Sequence, residues 1–357
     1  MLDSQRKIVR ESNFELLRII LMLLIIAGHC CLHNDLKTLG NSNYYITNIL
    51  LSFSVCAVNA FIIISGYFGI NLNINKLVKI DIRVVFYTYV LAGTAVVFGI
   101  HQFNLVKDIK LLMPVLTKQY WFITDYFVLC IISPLLNKIL KTLDKNELRK
   151  ALIIGFIIFY AIATLCYLIN ADQIVMDAGY GIVNFVYLYF LGYYIRNYYS
   201  DRHKPSFYGL IYLISGVGLF SVNILMSKLL QFYFNALISY NSIFVLIEAV
   251  SLFLCFKNIS IKPSKLVNKF SSKALYVYVI HMHPLVSSFL FENVLEVQKY
   301  YNGWFVIVAI VIPFLLYVVC FGIDCIVDLI LYPLDRIADC FCKKAEKLSF
   351  SLFNSRE

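Results

Sequence analysis

Charged residues are scarce in this sequence. Lysine, arginine, aspartate and glutamate make up 15% of its 357 residues, whereas a typical soluble domain contains about 25%. Hydrophobic residues account for 61%, and the mean hydropathy is +0.77. This composition excludes an ordinary soluble protein and predicts a chain that crosses a membrane several times. The first apolar segment lacks a small-residue cleavage site, so we interpret it as a retained span.

Motifs for metal binding are also missing. The sequence contains no pair of CxxC motifs and no HExxH motif, so we expect no metal site. Most of the ten cysteines lie inside apolar runs, where cysteine behaves as a small hydrophobic residue, and we expect reduced thiols. The net charge of +10 bears on orientation in a membrane, and we expect no nucleic-acid partner.

Ten segments are apolar and long enough to span a lipid bilayer, which requires about 20 residues. We therefore predict an all-α fold, a polytopic membrane helical bundle of about ten transmembrane helices. The membrane domain is assigned to residues 13–332, between cytoplasmic tails at 1–12 and 333–357. A short basic segment at 104–118 is predicted to be an interfacial helix. The ten spans are 14–32, 47–70, 82–100, 120–140, 151–169, 180–198, 206–227, 231–256, 274–292 and 304–332.

Basic residues are distributed unevenly between alternate loops. With the N-terminus placed in the cytoplasm, 24 lysines and arginines fall on the cytoplasmic side and 6 on the opposite side. Cytoplasmic loops of membrane proteins carry an excess of such residues. The pattern predicts an even number of spans, with both termini cytoplasmic, in the cell (plasma or inner) membrane.

The first span carries an arginine near one end and a histidine near the other. Arg18 and His29 are eleven residues apart, a rotation only about 20° beyond three full helical turns and a rise of about 16 Å. Both side chains therefore lie on one face of the helix, at different depths. Considered alone, Arg18 could equally be a cationic anchor whose side chain snorkels to the membrane surface. His29, considered alone, could equally be a partner in a structural hydrogen bond between helices. The shared face favours a polar track through the bundle.

Other polar residues lie within predicted spans. Asp125, one turn after Trp121, and Glu248 should each pair or touch a substrate, because an unpaired carboxylate in a membrane is costly. Trp121 belongs either to an aromatic belt or to a platform that stacks on a sugar ring. His281 and His283 are two residues apart and so face different sides of a helix. They make a poor metal pair, and His283 is predicted to be structural.

Five stretches carry a resemblance to a known family. They occur in order as "NFELLRIILMLLIIAGH", "NAFIIISGYFGI", "NKLVKIDIRVVFYTY", "YWFITDYFVLCIISPLLNKIL" and "SSKALYVYVIHMHPLV". The first contains an Arg-x10-His pattern, the second ends its span with Ser-Gly, and the last contains Tyr-x-x-His. Together they resemble the acyltransferase-3 family of membrane proteins over roughly residues 12–332.

The resemblance implies an O-acyltransferase that moves an acetyl or short acyl group from cytoplasmic acyl-CoA to a sugar hydroxyl of a cell-surface or lipid-linked glycan. His29 would be the general base, with Asp125 and His281 as further catalytic candidates. Trp121 and Glu248 are candidates for binding the acceptor. Acetyl-CoA would be the donor substrate, and the lipid bilayer the surrounding partner.

The donor would be held by cationic residues and a hydroxyl. Arg18, Lys76, Lys79 and Arg83 all fall on the predicted cytoplasmic side, where they would contact the phosphates, and Ser65 would help to hold the thioester. The family often has arginines where this chain has Lys76 and Lys79. For these lysines, ordinary cytoplasmic charge is the alternative interpretation.

Two other functions compete with acyl transfer. A polysaccharide or lipid-linked sugar transporter would also line its path with polar residues, although transporters commonly show internal repeats and this chain shows none. A glycan polymerase is the third possibility, but the predicted outer loops are short. Consumption of a thioester separates the acyltransferase from both alternatives.

Overall fold

The computed structural model describes residues 11–34, 41–200 and 203–354, with side chains described as far as residue 340. Helices make up the fold, and this described part contains no β-strand. The all-α prediction is confirmed. The helices are α1 (Ser12–Leu32), α2 (Ser42–Ser54), α3 (Ala57–Phe68), α4 (Ile74–Val97), α5 (Leu105–Asp108), α6 (Trp121–Thr142), α7 (Lys145–Phe156), α8 (Ile162–Leu168), α9 (Ile182–Tyr198), α10 (Pro205–Leu230), α11 (Ile243–Lys257), α12 (Lys265–Ser271), α13 (Ala274–His281), α14 (Ser287–Phe289) and α15 (Gly303–Asn354).

Seven helical segments in the described part are long and apolar enough to cross a membrane. Each of them overlaps a predicted span. The segment Ser42–Phe68 combines α2 and α3, and the segment Lys145–Leu168 joins α7 and α8 through one π-helical turn. The segments are Ser12–Leu32, Ser42–Phe68, Ile74–Val97, Trp121–Thr142, Lys145–Leu168, Pro205–Leu230 and Gly303–Cys340.

Three predicted spans contain shorter helices. Helix α9 has 17 residues and α11 has 15, while the predicted span 274–292 begins with the eight residues of α13 and continues as short helical turns. The segments that precede α9 and α11 are loops, and a backbone hydrogen bond joins them. The N–H of Tyr240 in one loop donates to the carbonyl of Ala178 in the other (3.0 Å).

Two predicted boundaries differ from the structure. The predicted interfacial helix at 104–118 is only α5 followed by a 3₁₀ turn at Ile109–Leu112, and the segment continues as turns around Pro114. Asp108 closes this region by accepting the N–H of Asn104 (2.8 Å) and contacting His101 Nε2 (2.9 Å). These two contacts lower the pKa of Asp108.

The boundary at residue 332 falls inside a helix. Helix α15 continues to Asn354, so the predicted C-terminal tail begins helical. The sequence after the apolar run contains one proline, Pro333, and no glycine, so it lacks the glycine that commonly ends a helix. Of the predicted N-terminal tail, residues 1–10 lie outside the described residues.

The chain divides into two compact units. Unit 1 comprises Met1–Gly69, Leu143–Leu275 and Val297–Phe314, and unit 2 comprises Ile70–Thr142, Tyr276–Glu296 and Leu315–Glu357. Unit 1 contains α1–α3 and α7–α12, together with the start of α15. Unit 2 contains α4–α6, most of α13, α14 and the remainder of α15.

In unit 1, small residues let α3 and α9 pack closely. A Cβ on Gly66 of α3 would lie 2.1 Å from the carbonyl oxygen of Tyr189, and one on Gly192 of α9 would lie 2.3 Å from that of Ile63. Such contacts require glycine on both helices. A buried network lies at the other end of the pair, where Asn184 donates to Asn59 (3.2 Å). The two helices therefore run in the same direction along their contact.

In unit 2, ion pairs join α4 to α15. Arg83 contacts Asp324 (3.3 Å) and Asp328 (2.7 Å), and Lys79 contacts Asp339 (2.7 Å). Arg83 and Asp324 are buried. Arg83 follows Lys79 along α4, whereas its partners Asp324 and Asp328 precede Asp339 along α15, so the two helices run in opposite directions along this contact.

Candidate active site

Arg18 is held in a defined orientation in unit 1. Its Nη1 lies 2.5 Å from Oε1 of Glu15, one turn earlier on α1, and the hydroxyl of Ser271 donates to the other carboxylate oxygen. The guanidinium Cζ lies 5.9 Å from the centroid of the Phe68 ring. About a quarter of the side chain stays exposed. Glu15 and Phe68 thus fix Arg18 while leaving part of it accessible.

His29 lies in the last turn of α1 and is half-buried. Helix α1 is continuous from Ser12 to Leu32, so the geometry of an ideal helix applies and Arg18 and His29 share a face. The adjacent Gly28 packs against Leu51 and Ser54 of α2.

Ser65 and Gly66 have local roles in the packing of unit 1. The Ser65 hydroxyl donates to the carbonyl of Phe61 on its own helix (3.1 Å), so its oxygen remains available only as an acceptor. Gly66 is the close-contact position against α9. The Ser-Gly pattern has a structural explanation, and the thioester-holding role of Ser65 stays a prediction.

The basic residues of α4 differ in their partners. Arg83 contacts Asp324 and Asp328, and its Nη2 lies 3.8 Å from Asp335. The Tyr276 ring covers the same guanidinium, with Cζ at 4.7 Å from its centroid. Three carboxylates and an aromatic ring occupy the surfaces that a phosphate would use. This environment favours a structural role for Arg83 over the donor contact that the sequence predicts.

Lys79 and Lys76 complete the basic segment of α4. Lys79 is paired with Asp339 (2.7 Å), whereas the Lys76 side chain is exposed. The backbone N–H of Lys76 donates to the amide oxygen of Asn73, which caps the start of α4 (2.8 Å). Among these three basic residues, Lys76 is the one whose ammonium group remains solvent-facing without an ion pair in the described structure. A donor role for Lys76 and Lys79 stays a prediction.

An aromatic cluster connects Trp121 to His281 in unit 2. Trp121 meets Phe122 edge to face (6.1 Å between centroids), Phe122 meets Tyr278 (6.0 Å), and Tyr278 meets His281 (6.1 Å). The sequence singled out Trp121 and His281 separately. Their connecting residue, Tyr278, is the tyrosine of the Tyr-x-x-His pattern.

Asp125 lies on the same helix as the tryptophan of this cluster. It follows Trp121 by one helical turn and is 7% exposed. Its Oδ2 lies 3.5 Å from the ammonium of Lys118. The expectation that this carboxylate requires a partner is therefore met by a cation, and a direct catalytic role stays a prediction.

The two late histidines make different hydrogen bonds. His281 is fully buried, and its Nδ1 lies 2.6 Å from the carbonyl oxygen of Val277. Because a carbonyl only accepts, Nδ1 carries the proton and Nε2 is the basic nitrogen. In His283, Nε2 contacts the carbonyl of Thr88 (3.1 Å) and Nδ1 accepts the N–H of Leu285 (3.2 Å). Both nitrogens of His283 thus serve the backbone.

Glu248 is fully buried in unit 1. Within the described residues its carboxyl oxygens have no hydrogen bond of normal geometry, although the Cys56 thiol lies close enough to act on the carboxyl group. The Cys56 thiol and the Tyr212 hydroxyl lie nearby, but both donate to the carbonyl of Phe53. Acceptor binding by Glu248 stays a prediction.

The described residues contain no cluster of histidine, cysteine and acidic side chains that could hold a metal ion. Sequence reasoning missed two residues of these surroundings. Tyr278 could have been found from its place in the Tyr-x-x-His pattern. Arg196, whose guanidinium lies on the Phe68 ring beside Arg18, gave no signal beyond ordinary cytoplasmic charge.

The fold defines a multi-pass membrane protein with ionisable groups inside its helical units. A family model described as an acyltransferase domain matches residues 11–323. The chain belongs to this acyltransferase-3 family, as the five sequence stretches suggested, and is a membrane acyltransferase with an acyl donor and an acceptor as substrates. Comparison with curated proteins and with solved structures gave no match.

Proposed function

We propose that this acyltransferase moves an acetyl or short acyl group from cytoplasmic acyl-CoA to a sugar hydroxyl of a cell-surface or lipid-linked glycan. The observation that carries the proposal is the arrangement of α1, in which an oriented Arg18 and a half-buried His29 share one face of a membrane-length helix. A cation at one depth and a base at another suit a charged donor and a neutral acceptor.

The reaction needs a base because a sugar hydroxyl is a poor nucleophile at neutral pH. Neutral His29 accepts the hydroxyl proton as the oxygen attacks the thioester carbonyl. The tetrahedral intermediate then collapses with cleavage of the carbon–sulfur bond. The proton passes from the imidazolium to the leaving thiolate, which gives free CoA and an ester, and returns His29 to its neutral form.

On the donor side, Arg18 binds a phosphate of CoA. Glu15 occupies Nη1 and Phe68 covers the guanidinium, so the remaining N–H groups are held ready for an anion. Lys76 is the second candidate, because its ammonium group is exposed. Lys79 and Arg83 are weaker candidates, since both are paired with carboxylates.

On the acceptor side, aromatic and acidic residues are candidates. Trp121 offers a ring at the start of α6, and Asp125 follows it by one turn. Rings of this kind stack on sugars, while carboxylates accept hydrogen bonds from hydroxyl groups. The basic Nε2 of His281 belongs to the same aromatic cluster. Glu248 is a further acceptor-binding candidate.

The test measures thioester turnover and product together. Inside-out membrane vesicles that contain the protein are supplied with acetyl-CoA labelled in the acetyl group, and release of the free thiol is followed. Glycan from cells with and without the gene is then compared by mass spectrometry for the mass of one acetyl group. Label in glycan hydroxyl esters supports the proposal. Transport of a saccharide without thiol release would support the transporter alternative instead.

A further inference from the structure

Arg196 lies in the last turn of α9 and is exposed. One of its guanidinium nitrogens, Nη1, donates to the carbonyl of Tyr67 at the end of α3 (3.0 Å). Its Cζ lies 5.3 Å from the centroid of the Tyr67 ring and 5.7 Å from that of Phe68. Hydrogen bonding and two aromatic rings therefore hold the guanidinium in place.

The same Phe68 ring also contacts Arg18. Its centroid is 5.9 Å from the Arg18 Cζ and 5.7 Å from the Arg196 Cζ. The two guanidinium groups are thus separated by no more than the sum of these distances. Two helices far apart in sequence bring their arginines to one aromatic side chain of a third.

The charges at this ring are not balanced. Arg18 is neutralised by Glu15 (2.5 Å), but Arg196 forms no ion pair with a carboxylate in the described part of the chain. Glu11 acts electrostatically on Tyr67 without forming an ion pair to Arg196. Arg196 therefore carries a positive charge that a bound anion such as a phosphate group would balance through charge-assisted hydrogen bonds.

The position of Arg196 is fixed by the packing of its helix. Gly192, one turn earlier, lets the backbone of α9 approach α3, where a Cβ would lie 2.7 Å from the Tyr67 nitrogen. Because the helices are in contact here, the Arg196 side chain begins close to the end of α3, within hydrogen-bonding reach of the Tyr67 carbonyl. Such rigidity lowers the entropic cost of binding a ligand.

The geometry points to Arg196 as a second donor-binding residue, one that contacts a phosphate group of acyl-CoA together with Arg18 across the Phe68 ring. This inference rests on the proposed function, because it deepens the donor side of that reaction. The phosphate is either the ribose 3′-phosphate or the diphosphate of CoA, which present the same chemistry to a guanidinium. A role limited to capping the last carbonyls of α3 is the competing explanation.

The test compares donors that lack successive phosphates. In inside-out vesicles, kcat/KM is measured for acetyl-CoA, 3′-dephospho-acetyl-CoA and S-acetylpantetheine, with the native protein, Arg196→Ala and Arg196→Lys. Arg149→Ala, an exposed arginine on α7 of the same unit, is the matched control. Because charge-assisted hydrogen bonds are strong, Arg196→Ala should lower kcat/KM for acetyl-CoA about tenfold or more, through KM, and Arg196→Lys should lose less.

The pattern across donors decides the inference. A loss that disappears with S-acetylpantetheine supports a phosphate contact, and its behaviour with the dephospho donor identifies which phosphate. An equal loss with all three donors assigns Arg196 to the α3 cap and overturns the inference, as does no loss at all. If Arg196→Ala fails to accumulate, Arg196→Lys provides the same three-donor comparison. Absence of turnover by the native protein with every acyl-CoA would instead reject the proposed function.

Discussion

At the residue scale, the two nitrogens of each imidazole decide what a histidine can do. Both nitrogens of His283 are bound to backbone groups, so that ring fastens a turn. His281 uses Nδ1 for its own helix and presents Nε2 as a base, although inside a fully buried cluster. His29 is only half-buried. Of the three rings, His29 is the one that a hydroxyl group from an external acceptor reaches most readily.

Replacement of His29 should therefore abolish transfer. General-base catalysis contributes about 10²–10⁴-fold, so His29→Ala should lose activity by that order. His29→Gln preserves hydrogen bonding but cannot accept a proton at neutral pH, and should recover little. Acetyl release from acetyl-CoA and incorporation into glycan are the measurements, with protein amount in the membrane determined for each variant.

The controls for His29 are histidines in loops. His33→Ala and His203→Ala should retain activity close to that of the native protein, because both residues lie outside the helices. A His29→Gln enzyme with native activity would show that the imidazole is only a structural hydrogen-bonding group.

At the element scale, the α3–α9 contact depends on the absence of side chains. Gly66→Ala would place a methyl group 2.1 Å from the Tyr189 carbonyl oxygen, and relief of this contact would require a shift of the α9 backbone. Overpacking of this kind costs about 1–3 kcal/mol or more. We expect a clear fall in the thermal unfolding temperature of the purified protein in detergent.

Gly209→Ala on α10 is the matched control for this substitution. A Cβ at Gly209 would meet nothing within 4 Å, and alanine is favoured over glycine in a helix by about 0.5–1 kcal/mol. Its unfolding temperature should be equal to or above that of the native protein. Equal unfolding temperatures for Gly66→Ala and the native protein would contradict the close α3–α9 contact.

The pairing of α4 with α15 yields a prediction about Arg83. Arg83→Ala would leave the fully buried Asp324 without its cation, a change that typically costs about 3–5 kcal/mol. Thermal unfolding should therefore occur at a markedly lower temperature. The double variant Arg83→Ala/Asp324→Asn should recover much of the loss, since it removes the unpaired charge and keeps an acceptor for the Tyr87 hydroxyl.

Kinetics distinguish this role from donor binding. If Arg83→Ala unfolds at the native temperature but raises KM for acyl-CoA, Arg83 contacts the donor, as the sequence predicts. A lower unfolding temperature with rescue by the double variant assigns it to the α4–α15 pairing. A lower temperature without rescue would show that Asp324 is not the group that Arg83 stabilises.

The helices differ in how far they could be predicted. Long apolar runs identified the seven membrane-length segments, because length and hydropathy are local properties. The run 231–256 was predicted as one span, yet its first twelve residues form a loop that begins at Gln231, which has a left-handed conformation (φ 56°). The loop is apolar although it is not helical, and its side chains Phe234 and Leu237 are buried.

Partners distant in sequence could be named but not chosen. Asp324 and Asp328 share a helix face near the end of the last span, and the sequence allows either Arg83 or Arg336 as their partner; Arg83 lies 241 residues from Asp324, and the tertiary fold brings the two together. Arg196 and Phe68 likewise meet through the packing of α3 and α9. The sequence supplied the candidate residues of the site. Which arginines and lysines are paired with a carboxylate depends on the tertiary fold.

At the scale of the whole molecule, the number of spans determines the side on which each loop lies. Seven segments of membrane length would place the two ends of the chain on opposite sides, whereas ten spans place them together. Ten spans require that α9, α11 and the segment 274–292 also cross. Loops packed in the protein interior can complete such crossings, because protein groups satisfy their backbone hydrogen bonds. The 24-to-6 distribution of basic residues favours this arrangement.

Labelling of single introduced cysteines separates the two topologies. With ten spans, Lys204→Cys lies in the cytoplasm and Lys299→Cys outside the cell. With seven spans, both positions exchange sides. With the N-terminus in the cytoplasm, as the distribution of basic residues predicts, Lys76→Cys is cytoplasmic and Lys107→Cys external in either topology, and these two positions calibrate the reagent. All four are measured in intact and permeabilised cells with a membrane-impermeant maleimide, against the unsubstituted protein.

We expect labelling of intact cells at 107 and 299 only, since the basic segments around 76 and 204 are retained in the cytoplasm by their charge. Labelling at 204 and protection at 299 would reject the ten-span arrangement, and with it the cytoplasmic location of Arg196 on which access to acyl-CoA depends.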